Sequence, residues 1–111
     1  MKFLTISTFK DALSTLPPSV IIQIVEAMQA WMKQQKQSGK ILEAYVIPAW
    51  KRGVVISEFD SAEEISQMLP QMPGFGFMDF ELYPLADFDG GVKSLIEALK
   101  RVEQQFPAAP K

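Results

Sequence analysis

No histidine and no cysteine occur among the 111 residues. Imidazole bases, thiolate nucleophiles, disulfides, zinc–thiolate centres and His-ligated haem are therefore excluded, and no metal site is expected. Proton chemistry in such a chain falls to carboxylates, lysine, tyrosine or bound water. Four carboxylates lie in segments that read as strands: Glu43, Glu58, Asp79 and Glu81. A carboxylate held in a partly apolar cavity has a raised pKa, which suits a general base. Candidate ligand contacts are the donors and aromatic groups of Ser7, Tyr45, Trp50 and Tyr83, with Arg52 beside Lys51 at a turn. Structural roles compete with each of these: solvated or interface carboxylates, aromatic packing, and a hydrated hairpin tip.

Alternation and helical spacing define the elements that position these groups. Lys2 to Phe9 alternates with period two and reads as a strand. After Pro17-Pro18-Ser19, Ile21, Ile24, Val25, Met28 and Met32 share one helix face, and Gly39 supplies a left-handed stop. Strands are expected over 41–49, 54–59 and 77–85, with a turn at Trp50-Lys51-Arg52-Gly53 and Pro48 marking an edge or an end. Ser61 followed by Glu64 forms a capping box for a second helix. Val92, Leu95, Ile96, Leu99 and Val102 line a third, ended by Pro107, with Gly90-Gly91 as a hinge before it. Met28, Met32, Met68, Met72 and Met78 read as core or interface filler.

The order β-α-β-β-α-β plus a terminal helix predicts an α+β, ferredoxin-like domain: a four-stranded antiparallel sheet with helices on one face. One domain is expected over 1–106, with 107–111 a flexible tail. Three strands carry apolar groups on both faces, so the second face should be covered. Two sheets pairing in a homodimer, burying about 800 Å² per partner, would do so, and a ligand would then sit between them. If Met78, Phe80 and Leu82 face the helices, Asp79, Glu81 and Tyr83 face that gap, and Thr5 and Ser7 are assigned to the same side. The alternation leaves open whether Ser57 or Glu58 points inward.

The formal charge is −2, with 48% apolar and 22% charged residues. These values fit a globular domain and give no basic excess for nucleic acid. No signal peptide or bilayer-spanning run is legible, so no membrane partner and a cytoplasmic location are expected.

Phe59-Asp60-Ser61, Glu63-Glu64, Leu69-Pro70 and Met78-Asp79-Phe80-Glu81-Leu82 resemble the C-terminal half of muconolactone isomerases, members of the dimeric α/β-barrel superfamily. The similarity spans residues 54–85 and is topological before that. It implies a cofactor-free proton-shift isomerase of a small unsaturated lactone or acid, assembled as a homodimer or an oligomer of dimers. Asp79 and Glu81 match its motif and become the leading catalytic candidates, with Glu58 beside them. The chain departs from the pattern at Pro48, where a strand arginine is expected, and in lacking histidine. Two other readings remain on the same scaffold: a non-catalytic small-ligand-binding or interaction protein, and a cofactor-free small monooxygenase.

Overall fold

The structure is a computed structural model that describes residues 1–106; the tail expected at 107–111 lies outside the described residues. Four strands, β1 (Lys2–Phe9), β2 (Ile41–Ile47), β3 (Arg52–Glu58) and β4 (Met78–Leu85), form one antiparallel sheet in the order β2-β3-β1-β4. Helices α1 (Pro18–Gln37) and α2 (Ala62–Met68) follow β1 and β3, and α3 (Phe88–Gln105) follows β4. This is the ferredoxin-like α+β plan. Among the described residues, no helix is long and apolar enough to cross a membrane.

Local chemistry accounts for the boundaries. Pro18 opens α1, where its missing N–H costs nothing and its fixed φ suits the first turn. Gly39 leaves that helix with φ +81°. The Ser61 hydroxyl accepts from the Glu64 backbone N–H at 3.2 Å, while the Glu64 carboxylate accepts from the Asp60 N–H at 3.0 Å. Two otherwise orphaned donors at the α2 start are thereby satisfied. Strand β2 stops at Ile47, two residues short of the expected end, because Pro48 opens a single 3-10 turn and Lys51 reverses the chain at φ +52°. Gly90 and Gly91 lie in the first turn of α3 rather than in a hinge. The Asp87 carboxylate caps that turn by accepting from the Gly90 N–H at 3.4 Å.

The core sits where α2 meets the sheet. Phe3, Phe59 and Ile65 are buried there, with Met68, Leu69 and Leu82 packed around them. Helix α1 is held more loosely: it touches mainly β2 and buries none of its residues fully. Helix α3 packs on no other element to a comparable extent. The outline is accordingly elongated, with extents of 70 × 30 × 22 Å and a radius of gyration of 19.5 Å. A compact chain of about 100 residues would have a radius of roughly 13 Å.

Candidate functional site

Register decides which side chains share a face. Directly opposed residues in an antiparallel pair point the same way. Ser7 opposes Phe80 and Gly53, and Thr5 opposes Leu82 and Val55. Thr5 and Ser7 therefore lie on the helix side with Met78, Phe80 and Leu82. Their expected grouping with Asp79, Glu81 and Tyr83 is corrected: those three occupy the opposite, helix-free face. Strand parity within one strand does not reveal the register between strands, and this is where the expectation failed. Ser57 opposes Phe3 and Ile41 and points toward the helices, so Glu58 points away.

On the helix side a cavity of about 400 Å³ opens between the sheet and α1. Its floor carries Thr5, Ser7, Val55, Ser57, Met78 and Phe80. Its roof is Val25, Met28, Gln29, Trp31 and Met32 of α1. Ile65, Met68, Leu69 and Met72 close one end. The wide floor follows from small side chains at its centre, and Gly53 is part of that economy of bulk. A Cβ there would come within 2.8 Å of the Ser7 hydroxyl oxygen. The end wall is set by Gly74, at φ +82°, which lets the 70–77 loop approach Ile24 and Met28 of α1. Phe75 stacks on Phe80 at 5.4 Å between ring centroids and pins the same loop to β4.

A pocket thus lies inside one subunit, on the other side of the sheet from the gap expected between two paired sheets. The weak docking of α1 leaves this space unfilled. Polar groups in the pocket are few. Thr5, Ser7 and Ser57 are the buried hydroxyls among the described residues, and Ser57 Oγ has no hydrogen-bond partner among those residues. Among the described residues, no Asp, Glu, Lys or Arg lines the cavity. Nor does any cluster of metal-ligating side chains occur among them.

Of the eight site candidates, the pocket takes in two. Ser7 lines the floor. Tyr45 contributes to the lining as well, but its register partner is Val54, so its ring belongs to the opposite face, where it is 59% exposed. Asp79 sits 3.7 Å from Lys10 and is open to solvent. Glu81 is exposed beside Ile6, its register partner. Glu58 pairs with the terminal amine of Met1 at 3.0 Å. Arg52 lies over the Trp50 ring at 5.7 Å, a cation–π contact at an exposed turn. Tyr83 is half exposed on β4. The structure therefore does not bring the carboxylate candidates together with Ser7. The residues missed were the methionines. All five that read as filler line the cavity, and the sign was available in Met28 and Met32, which fall on the α1 face turned to the sheet.

The ion pair nearest the core lies outside the pocket. Lys40 Nζ meets Glu64 at 2.6 Å and rests 5.3 Å from the centre of the Phe59 ring. The hydrogen bond from Lys40, and then that from the Asp60 backbone, holds the Glu64 carboxyl below its usual range. The same bond to Glu64 raises the Lys40 ammonium. This pair ties the start of β2 to α2.

A sequence model of the family described as muconolactone delta-isomerase matches residues 1–90. The chain belongs to that family. A muconolactone delta-isomerase of Rhodococcus opacus is 28% identical over 78 residues, covering 70% of this chain and 84% of the relative. Among solved structures, a muconolactone isomerase superposes with a TM-score of 0.67 at 22% identity. That superposition covers 78% of this chain and 90% of the other, and supports the shared fold. The family match ends just after α3 begins, so most of that helix is an addition to the family's pattern.

Proposed function

We propose that this member of the family binds a small, uncharged and largely apolar molecule in the pocket between α1 and the sheet. The observation that carries the reading is the lining: five methionines, Trp31 and Phe80 around three hydroxyls and the Gln29 amide, with no carboxylate or cation among the described residues. An ionised ligand entering such a space gives up hydration worth several kcal/mol and meets no counter-charge. A neutral ring bearing one carbonyl loses little, because the Ser57, Thr5 and Ser7 hydroxyls can donate to that oxygen. A proton shift additionally needs a base within hydrogen-bond reach of the acidic carbon, and the strand carboxylates face the other way.

The family match favours a second reading, in which the ligand is a lactone and the chain shifts a proton on it. One experiment separates the two. In a Trp50→Phe variant, Trp31 is the sole tryptophan and reports the pocket. Titration at neutral pH compares muconolactone, an anion, with its uncharged methyl ester. Quenching that saturates with the ester and not with the acid, and an unchanged absorbance of the acid on incubation, is the expected result. Turnover of the acid would replace the binding reading with the isomerase one.

The helix-free face of the sheet serves self-association in this account. Leu4, Ile6, Val54 and Ile56 form an apolar centre there, flanked by Tyr45, Ile47, Tyr83 and Leu85, each at least 37% exposed. A patch of this kind on a small chain is covered when a second copy buries it. On this reading Asp79, Glu81, Glu58 and Arg52 are rim groups of a homodimer interface, and the ligand occupies each subunit separately.

A further inference from the structure

We infer that the pocket is a one-ended channel with its mouth between α1 and the edge strand β2, and that it takes an extended carbonyl compound. The carbonyl sits at Ser57 and the hydrocarbon tail runs out past Val46. The inference rests on the binding reading above and adds the ligand's shape and direction. Register lays the helix-side floor out as rows across the strands. Val46, Gly53, Ser7 and Phe80 stand side by side in one row, and Ala44, Val55, Thr5 and Leu82 in the next. Ser57 lies in a third row, between Ile41 and Phe3. That third row is the closed end: all three of its residues are buried, and Ile65 of α2 packs with Phe3. The first row is the open end. Val46 is 75% exposed, and Val25 and Gln29 of α1, which line the same pocket, are exposed as well. No strand lies beyond β2 to cover this side.

The ligand's form follows from the two ends and the distance between them. At the closed end the Ser57 hydroxyl is buried without a partner among the described residues, and a carbonyl oxygen gives it one. From Ser57 the floor runs straight along β3 to Gly53, about 14 Å at the strand rise, and Val46 is the next residue across. Gly53 presents bare backbone where the path turns toward the edge. An extended chain covers that distance in about twelve bonds. Among the described residues the lining is uncharged throughout, which suits hydrocarbon. Past Val46 the chain is in water, so a charge at its far end keeps its hydration. The same charge a few bonds from the carbonyl is buried unpaired. Length therefore decides whether an anion binds.

The test reads Trp31 fluorescence in the full chain carrying Trp50→Phe. Its probes are 12-oxotridecanoate, whose carbonyl and carboxylate are separated by about the channel's length, the short 5-oxohexanoate, and the methyl ester of each. The long acid should bind within about threefold of its ester, a difference the size of a surface charge contact. The short acid should bind at least about 100-fold more weakly than its ester, because its carboxylate is desolvated. At the exposed mouth, Val46→Lys should tighten the long acid about two- to fivefold and Val46→Glu should weaken it as much, with both esters unmoved. Failure of both esters to quench Trp31 overturns the binding reading and the channel with it. A short ester that binds while the long pair does not overturns the channel alone and leaves a closed cavity. A long acid as handicapped against its ester as the short one also overturns the channel, since its carboxylate then fails to reach water. A long acid indifferent to both Val46 substitutions, or esters that shift as much as the acid, overturns the mouth at β2. A short acid that binds as well as its ester overturns the uncharged-ligand reading itself.

Discussion

Replacing Ser57 by alanine should make the unliganded protein more stable and its ligand binding weaker. Ser57 is 1% exposed on the pocket floor, between Phe3 and Ile41, and its hydroxyl has no partner among the described residues. Burying a hydroxyl without a hydrogen bond costs about 1–3 kcal/mol, and alanine keeps the Cβ while removing the cost. The dispersion attraction between that oxygen and its neighbours offsets part of this, leaving a net gain of roughly 1 kcal/mol. For a chain of this size that corresponds to about 4 °C in Tm. A ligand whose carbonyl accepts from Ser57 loses one net hydrogen bond, about 0.5–1.5 kcal/mol, or roughly two- to twelvefold in Kd. Urea unfolding and calorimetry read the first effect; Trp31 quenching by the methyl ester in the Trp50→Phe background reads the second. A Ser57→Ala variant that is less stable than wild type by about 1 kcal/mol would refute the reasoning, because it would show the hydroxyl to be hydrogen-bonded without ligand.

Three further expectations concern the frame around the pocket. Gly74→Ala forces an L-residue into φ +82° and drives a Cβ within 2.8 Å of Ile24 Cγ2, so unfolding should show a loss of about 2 kcal/mol or more. Glu64→Gln tests the Lys40 pair: the folded-state carboxyl lies below its unfolded value, so its stabilisation is present above the unfolded carboxylate range and fades as pH falls through the folded pKa. Wild type and variant should accordingly differ in Tm at neutral pH and converge in strong acid, and a gap that widens in acid contradicts the ion pair. Asp79→Asn with Glu81→Gln should leave Trp31 quenching by the ester unchanged within about twofold, no more than the smallest effect of one lost hydrogen bond; a larger loss of affinity would place those carboxylates in the ligand's reach.

The element order was legible because each periodicity is local. The alternation of Lys2–Phe9, the α1 stripe from Ile21 to Met32 and the Ser61–Glu64 cap all depend on residues within a few positions of one another. The site was less legible because it depends on register. Nothing within β1 or β4 says that Ser7 opposes Phe80 rather than Asp79, and a slip of one residue exchanges the faces. The Met-lined pocket was hidden for a different reason. The same apolar face serves a packed core or a cavity wall, and only the loose seating of α1 on the sheet distinguishes them. In α3 the stripe was correctly visible, but the chain gives no local sign that the helix stands away from its own body.

Methionine methyl groups offer the most direct measurement of the central claim. Five of the chain's six methionines, Met28, Met32, Met68, Met72 and Met78, line the pocket, and Met1 is the exposed exception. With 13C-methyl-labelled methionine, titration by N-phenyl-1-naphthylamine, an uncharged apolar probe, should shift the five pocket signals together and leave Met1 in place. Its sulfonated counterpart, 8-anilino-1-naphthalenesulfonate, should not shift them at matched concentration. Pocket signals that stay fixed with the neutral probe, or that respond equally to the anion, would contradict an uncharged ligand held between α1 and the sheet.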